Sequence, residues 1–391
     1  MELQLNDKER AFRDEARSWL RSQLDGPFRD LQGRGRSGDQ DSFVDERIAW
    51  GKAMGAAGWN CIGWPKEFGG RGCSIKEEAI FNEEYVRANG PGNVGHIGET
   101  LLGPTLIHFG TDEQRKRFLR PIVAGDEIWC QGYSEPGAGS DLASVQTKAT
   151  LVGDEWVIEG QKIWTSGASY SDWCFVLCRT DPDVPKHKGL SCILVPMRQD
   201  GVEIRPIRQM GGSAEFAEVF YDGARAKKEH VVGGVNQGWR VAMGTLAFER
   251  GASTLSQQYL FQKEFEEVIA SAKRVGADAD PVFRQRLADA YIGLKIMRVN
   301  ALRMLEHQDA DLGREALISK LYWSNWHRDL GELAMDLLGL EGELLEGAPY
   351  ELSQTQKWYL FSRADTIYAG SNQVQRNIIG ERGLGLPKEP R

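Results

Sequence analysis

The residues of this chain that could do chemistry gather in two short stretches. Gln131-Gly-Tyr-Ser-Glu-Pro-Gly-Ala-Gly-Ser-Asp141 is the first, and Lys162-Ile-Trp-Thr-Ser-Gly167 follows it closely. The first leaves an apolar run, Ile128-Trp129-Cys130, for a turn in which Gly137 and Gly139 permit positive φ and a close approach of backbone N–H groups to a ligand. Ser134, Ser140 and Asp141 add hydrogen-bonding side chains, and Trp164 offers a flat face beside the hydroxyls of Thr165 and Ser166. Such a surface suits a flat, polar-edged heterocycle joined to a pyrophosphate. An ordinary strand-turn-strand with a packed Trp fits the same residues.

One carboxylate stands apart. Glu249 precedes Arg250 and lies between Ala247-Phe248 and Gly251-Ala252, a small-residue setting that lets a ligand come close. A surface carboxylate in an adjacent charge pair is the alternative. Competing chemistries find no pattern. His96 and His108 lie in separate segments and no HExxH occurs, so no metal site is expected. There is no GxSxG nucleophile elbow, and no GxGxxG opens a helix after a strand.

The elements that must position these residues change character twice along the chain. Residues 7–24 repeat apolar positions at helical spacing, with Asn6 or Asp7 as the cap. Helical patterns resume at 43–58, 75–89 and 97–124, the last broken at Gly110-Thr-Asp-Glu113, where Thr111 or Asp112 caps. From residue 126 the period falls to two. EWVIEG (155–160), DWCFVLCR (172–179), GLSCILVP (189–196), VEIRPI (202–207) and AEVFYD (217–222) read as strands in succession without helices between them. That order points to an antiparallel β-domain and away from βαβ units. Helical spacing returns near Gln237, in long segments around 237–275, 280–309, 312–339 and 349–379, which implies a bundle. The expected division is a helical domain over 1–125, a β-domain over 126–235 and a helical bundle over 236–391.

A chain of 391 residues is too long for one core and implies two or three domains. The formal net charge of −8 gives a nucleic-acid partner little electrostatic support. No apolar run is long enough to cross a bilayer, and Met1-Glu-Leu-Gln-Leu-Asn6 has no signal-peptide pattern. Six cysteines form no CxxC and read as free buried thiols, the usage expected of a cytoplasmic protein without a membrane partner.

The wording of the two stretches, E-P-x-A-G-S-D followed by K-x-W-x-[ST], resembles the flavin-binding signature of the acyl-CoA dehydrogenase family. Gly63-Trp-Pro-Lys-Glu-Phe-Gly-Gly70 is similar to that family's GWPxEYGG element, and the likeness runs from about residue 5 to about residue 388. The resemblance implies an α+β multidomain fold: an N-terminal helical domain, a middle antiparallel β-barrel and a C-terminal four-helix bundle. It also implies FAD as cofactor. By motif position Gln131, Tyr133, Ser134, Gly139 and Ser140 would line one side of the flavin, and Trp164, Thr165 and Ser166 the other. Asp336, Gly339, Leu340, Ser371 and Gln373 would meet the ADP half of FAD, in a neighbouring subunit of a tetramer or dimer. The family's Arg-x-x-Phe-Gly element is missing near Arg274, which leaves Arg274 or Arg284 to substitute.

The same resemblance implies α,β-dehydrogenation of an acyl-CoA thioester to the trans-2-enoyl-CoA, with electrons passed to electron-transfer flavoprotein. Many relatives carry the catalytic base in Tyr-Glu-Gly; here the triplet is Tyr368-Ala369-Gly370, and Ala cannot accept a proton. A subset that includes isovaleryl- and long-chain acyl-CoA dehydrogenases places the base in a Glu-Arg pair on an earlier helix, which assigns the role to Glu249. Arg250, Ser140, Tyr368, Ala369 and Gly370 would then contact the substrate, with the Ala369 N–H polarising the thioester carbonyl. An oxygen-using flavoenzyme on this fold (nitroalkane oxidase or flavin monooxygenase) and a subunit of a mixed α2β2 dehydrogenase are the competing expectations. The glycines of Gly90-Pro-Gly-Asn-Val-Gly-His-Ile-Gly98 suggest room for a bulky or branched acyl group.

Overall fold

A computed structural model describes residues 5–248, 252–306, 313–344 and 351–388. Five helices come first: α1 (Asp7–Leu24), α2 (Val44–Ala56), α3 (Ile75–Arg87), α4 (Gly103–Phe109) and α5 (Asp112–Ala124). Eight strands follow. They are β1 (Trp129–Gly132), β2 (Lys148–Val152), β3 (Glu155–Ser166), β4 (Trp173–Arg179), β5 (Leu190–Pro196), β6 (Val202–Ile207), β7 (Phe216–Lys227) and β8 (Val231–Val232). Helices then return as α6 (Gly238–Phe248), α7 (Ala252–Arg274), α8 (Pro281–Glu306), α9 (Gly313–Leu338), α10 (Gln354–Ser362) and α11 (Asn372–Ile378). Helices, then a sheet, then helices is the expected order.

Local signals set the helix starts. Asn6 Oδ1 accepts from Glu9 N and Glu9 Oε2 accepts from Asn6 N, both at 2.9 Å, a reciprocal cap that satisfies two orphan donors of α1. Thr111 and Gln114 do the same for α5, and Ser353 and Gln356 for α10. Two compact units form, and they do not follow linear order. One unit takes α1, α3 and α7–α11; the other takes α2, α4, α5, all the strands and α6.

In the second unit the strands run β6-β7-β3-β2-β4-β5-β8, with β1 beside β4. Pairing is antiparallel except that β1 lies parallel to β4 and β2 meets β4 at one parallel pair, Lys148 and Arg179. Strand β4 is apolar from Trp173 to Cys178 because both its faces are covered. Cys174, Val176 and Cys178 enter a core with Ile158, Val195 and Val219. Phe175 and Leu177 enter another with Leu106, Phe118 and Leu119 of the helices. The first unit buries Phe261, Phe265, Leu294, Met297, Trp323, Leu330 and Trp358 among its helices. Arg17 joins α1 to α3 through a bidentate pair with the buried Glu84, both contacts at 2.8 Å.

Three expectations need correction. The stretch 349–379 is not one helix: α10 ends at Ser362 and α11 begins at Asn372, after a turn in which Ala369 (φ +49°) and Gly370 (φ +89°) take left-handed backbone. Ser371 caps α11, its Oγ accepting from Val374 N, so the new helix has its own start signal inside an otherwise helical pattern. Strands β1, β2 and β8 are too short for periodicity to show them and exist through their ladders. Neither Gly137 nor Gly139 has positive φ; a Cβ on either would meet nothing, so these glycines keep an exposed surface low.

Candidate active site

In the sheet-containing unit a buried ion pair welds the two signature stretches together. Lys162, with none of its surface exposed, donates from Nζ to Tyr133 O at 3.0 Å and to Glu135 Oε1 at 2.8 Å. Glu135 also accepts from the backbone N–H groups of Gln146 (2.6 Å) and Thr147 (2.8 Å), and Ile163 N donates to Ser134 O at 2.9 Å. Burial alone raises the Glu135 carboxyl, but the Lys162 charge and these donors hold it below its usual range. At Lys162 burial dominates and lowers the ammonium despite Glu135. One full charge pair, closed by four further hydrogen bonds, therefore fixes the turn 133–147 to β3.

The pairing of β3 with β7 slips between Lys162 and Thr165, and inside that bulge Trp164 adopts φ +59°. A left-handed Trp is strained. In this conformation the indole lies outward, 55% exposed. Next to it Thr165 is fully buried and its Oγ1 has no partner; Gln131 Nε2, on β1, is likewise buried and unpaired. Ser134 and Ser166 are partly accessible, and Gly139 and Ser140 are exposed. Tyr133 behaves otherwise. Its ring packs edge-on to Phe175 in the core and its hydroxyl donates to Thr245 Oγ1 of α6 at 3.2 Å, so its side chain is turned to the core and not to a ligand. Asp141 accepts from Lys186 Nζ at 2.7 Å and Ser144 Oγ at 2.6 Å, which makes it a brace of its own loop.

The helical unit holds the remaining expected residues. Asp336 pairs with Arg286 at 2.7 Å, Gly339 has φ +55°, and Leu340 is 83% exposed. Gln373 projects from the start of α11 into solvent. Arg274 is exposed and donates to Ser271 Oγ; Arg284 is exposed. In the turn before α11, Gln375 Nε2 donates to the carbonyls of Ala369 (3.2 Å) and Gly370 (3.5 Å), while Tyr368 donates to Asp365 Oδ1 at 2.7 Å. Among the described residues the Ala369 N–H meets no acceptor. Glu249 and Arg250 lie outside the described residues.

Three family models match the chain in succession. They are the acyl-CoA dehydrogenase N-terminal domain over residues 6–126, the middle domain over 130–224 and the C-terminal domain over 236–384. Acyl-CoA dehydrogenase IpdE1 of Mycobacterium tuberculosis (strain ATCC 25618 / H37Rv) is 53% identical over 378 residues, 97% of this chain and 98% of that protein. The chain belongs to the acyl-CoA dehydrogenase family. Two solved structures are similar to this dehydrogenase over 100% of both chains. The Tcur3481-Tcur3483 steroid ACAD has a TM-score of 0.87 at 34% identity. The ChsE4-ChsE5 complex from Mycobacterium tuberculosis has a TM-score of 0.84 at 29% identity.

As a member of this family the dehydrogenase is an FAD flavoprotein, and its residues fit the group. The unpaired, buried Thr165 Oγ1 and Gln131 Nε2 suit the polar edge of a flavin, and the outward Trp164 suits its face. The open surface over Gly137 and Gly139 leaves space beside them. A test separates this from packing. Trp164→Gly relieves about 1–2 kcal/mol of left-handed strain and exposes little new core. The apoprotein should therefore melt at or above the wild-type temperature. FAD affinity should fall about tenfold or more, as the loss of one aromatic stacking contact worth about 1–3 kcal/mol requires. A lower melting temperature with unchanged FAD affinity would show that the indole serves the fold alone.

Lys162 and Glu135 stand inside the signature, yet nothing in their spacing shows that they pair. Thr245, which accepts from Tyr133 and lies 2.9 Å from Thr105 Oγ1, gives no sequence signal at all.

Proposed function

We propose that this dehydrogenase oxidises an acyl-CoA thioester between Cα and Cβ to the trans-2-enoyl-CoA, with electron-transfer flavoprotein as the acceptor. The observation that carries the reading is the Ala369 amide. Ala369 sits in a left-handed turn at the position of the motif the sequence shares with the family, the residue's own carbonyl is held by Gln375, and among the described residues its N–H has no competing acceptor. A donor fixed in advance costs no reorganisation when the thioester carbonyl gains charge. FAD supplies the hydride acceptor when bound. Glu249 takes the α-proton, and Arg250 keeps that carboxylate ionised. Ser140 and Gly370 complete the substrate contacts, and Asp336, Gly339, Leu340, Ser371 and Gln373 hold the ADP half of FAD.

The acyl group proposed is bulky, on the support of the steroid ACAD that this chain resembles. The glycines near residue 95 no longer support it. A Cβ on Gly90 would meet Tyr85 at 2.4 Å and one on Gly95 would meet Glu99 Oε1 at 2.5 Å, so their space is taken by the chain's own side chains. Glu99 is itself of interest. Burial lifts its carboxyl to about 7, against the pull of the Asn93 hydrogen bond.

An assembly of several chains is part of the reading. Ile292, Ile296 and Val299 form one exposed apolar stripe on α8, with 39–54% of each residue accessible in the single chain. A mixed α2β2 assembly is the alternative to a homotetramer or dimer, and the ChsE4-ChsE5 complex, a neighbour named for two different chains, supports keeping it. The test mixes the yellow holoenzyme anaerobically with a panel of acyl-CoA thioesters, steroid side-chain thioesters included. Bleaching of the flavin followed by transfer to electron-transfer flavoprotein is expected. Turnover with oxygen as sole acceptor would instead favour the oxygen-using flavoenzymes. A chain that stays monomeric by native mass until a partner is supplied would favour the mixed assembly.

A further inference from the structure

Behind the Tyr368–Gly370 turn lies a buried line of charged groups that the proposed reaction does not use. His327 of α9 is 2% exposed and stacked between Phe261 (ring centroids 4.6 Å apart) and Trp358 (5.3 Å). Its Nδ1 lies 2.5 Å from Asp365 Oδ2, and its Nε2 lies 3.1 Å from Glu264 Oε2 of α7. Both carboxylates are buried almost completely, Asp365 at 1% and Glu264 at 3%. The other oxygen of Asp365 accepts the Tyr368 hydroxyl at 2.7 Å. Lys320 Nζ donates to the Asp365 carbonyl, and the ammonium sits 4.9 Å from the Tyr368 ring centroid.

We propose that Glu264, His327 and Asp365 form a positioning relay that acts through Tyr368 to aim the Ala369 N–H at the thioester carbonyl. This inference rests on the assignment of Ala369 as the carbonyl donor. Two buried carboxylates flanking one ring call for a cation between them, because without it both are unpaired buried charges. His327 meets that demand as the imidazolium, with Nδ1 donating to Asp365 and the charged ring in ionic contact with Glu264 at 3.1 Å. Asp365 is thereby held as an acceptor for Tyr368, and Tyr368 is the residue before the strained Ala369. On the other side of Ala369, Gln375 holds the next peptide by donating to the Ala369 carbonyl. The N–H direction is thus set from both ends, and left-handed backbone at an alanine needs that degree of constraint.

The relay has a defined titration. Burial alone would lower His327, but the charge of Glu264 and the Asp365 hydrogen bond lift it to about 9. The groups facing it are Glu264 from α7, Asp365 and Tyr368 from the turn, and Lys320 from α9 itself. Arg36 lies behind Glu264, 3.8 Å from Glu267. A folded value above the unfolded one of about 6.5 means that the contribution of His327 to stability is fully present below pH ~6.5 and is lost as the pH rises through about 9, while in the folded protein the imidazolium itself persists until about 9.

The test reads the carbonyl stretch of bound enoyl-CoA, labelled with carbon-13 at C1, by difference infrared spectroscopy on the holoenzyme. The wild-type protein should lower that frequency at neutral pH and release it as the pH passes about 9. Tyr368→Phe cuts one hydrogen bond at a 37% exposed residue, and its fold should survive. It should move the band back toward its solution position with FAD content unchanged, and flavin reduction by acyl-CoA should slow by up to about 10²-fold, the usual cost of a donor misplaced by 1 Å. His327→Gln should do the same and abolish the pH step. Glu249→Gln should leave the band where it is, because the base does not touch the carbonyl. If wild type lowers the frequency and both Tyr368→Phe and His327→Gln lower it equally, with the pH step intact, the relay is overturned while the Ala369 reading stands. If wild type itself leaves the band at its solution position, the Ala369 reading falls and takes the relay with it.

Discussion

Glu249→Gln is expected to keep FAD and bind enoyl-CoA as the wild type does, yet reduce its flavin slower by roughly 10²–10⁴-fold, toward the upper end. The amide keeps the shape and polarity of the carboxylate but cannot take a proton. A thioester α-proton has no other strong base in the motifs this chain carries, since the Tyr-Glu-Gly position is occupied by Ala369. Arg250→Lys should slow reduction less, because the cation that keeps the base ionised survives and only its planar fork is lost. The decisive variant is Glu249→Gln combined with Ala369→Glu. Ala369 already holds φ +49°, so a glutamate there adds little backbone strain beyond what the alanine bears. Partial recovery would show that the two positions address one α-carbon. Flavin reduction at the wild-type rate in Glu249→Gln alone would place the base elsewhere.

Lys162→Met should cost about 3–5 kcal/mol, the usual penalty for removing one partner of a buried ion pair. The damage comes from Glu135. Without Lys162 its carboxylate stays buried with only the Gln146 and Thr147 amides, and the Tyr133 carbonyl loses its donor. Urea unfolding of the apoprotein, followed in the sheet-containing unit, should show the midpoint falling in proportion. Lys162→Met with Glu135→Gln should recover part of the loss, because the charge then disappears along with its partner. The pH dependence has a definite sign. Glu135 is depressed in the folded state, so its contribution is present above the unfolded carboxylate value and lost as pH falls through the lower folded one. Without Lys162 that depression shrinks, and acid unfolding should begin at a higher pH. A midpoint equal to wild type would mean that the pair does not clamp the signature.

Both predictions start from residues that the sequence displays, and they differ in how much the sequence says of them. The helix starts were legible because their signals are local. Asn6 and Glu9, or Thr111 and Gln114, are three residues apart and meet in any helix that begins there. Strand β4 was legible because a strand covered on both faces favours an unbroken apolar run, here Trp173 to Cys178 before Arg179. The signature residues were legible as a motif, and the structure shows what joins its two halves, with Lys162 reaching back 27 residues to Glu135.

Tertiary structure alone decided the rest. Periodicity across 349–379 reads as one helix, since the apolar spacing continues through Ile367 and Tyr368; the break comes from Asp365, Gln375 and α9 holding Ala369 and Gly370 in left-handed backbone. The conformation of Trp164 follows from a slipped register between β3 and a strand some fifty residues later. His327 carries no mark in the sequence to separate it from a surface histidine. Its charge is decided by Glu264 and Asp365, 63 and 38 residues away, once packing has removed water from all three. Propensity, capping and period act between residues a few positions apart, so they are written along the chain. Charge states and backbone strain depend on which distant groups exclude water together, and only the packed chain brings those groups into contact.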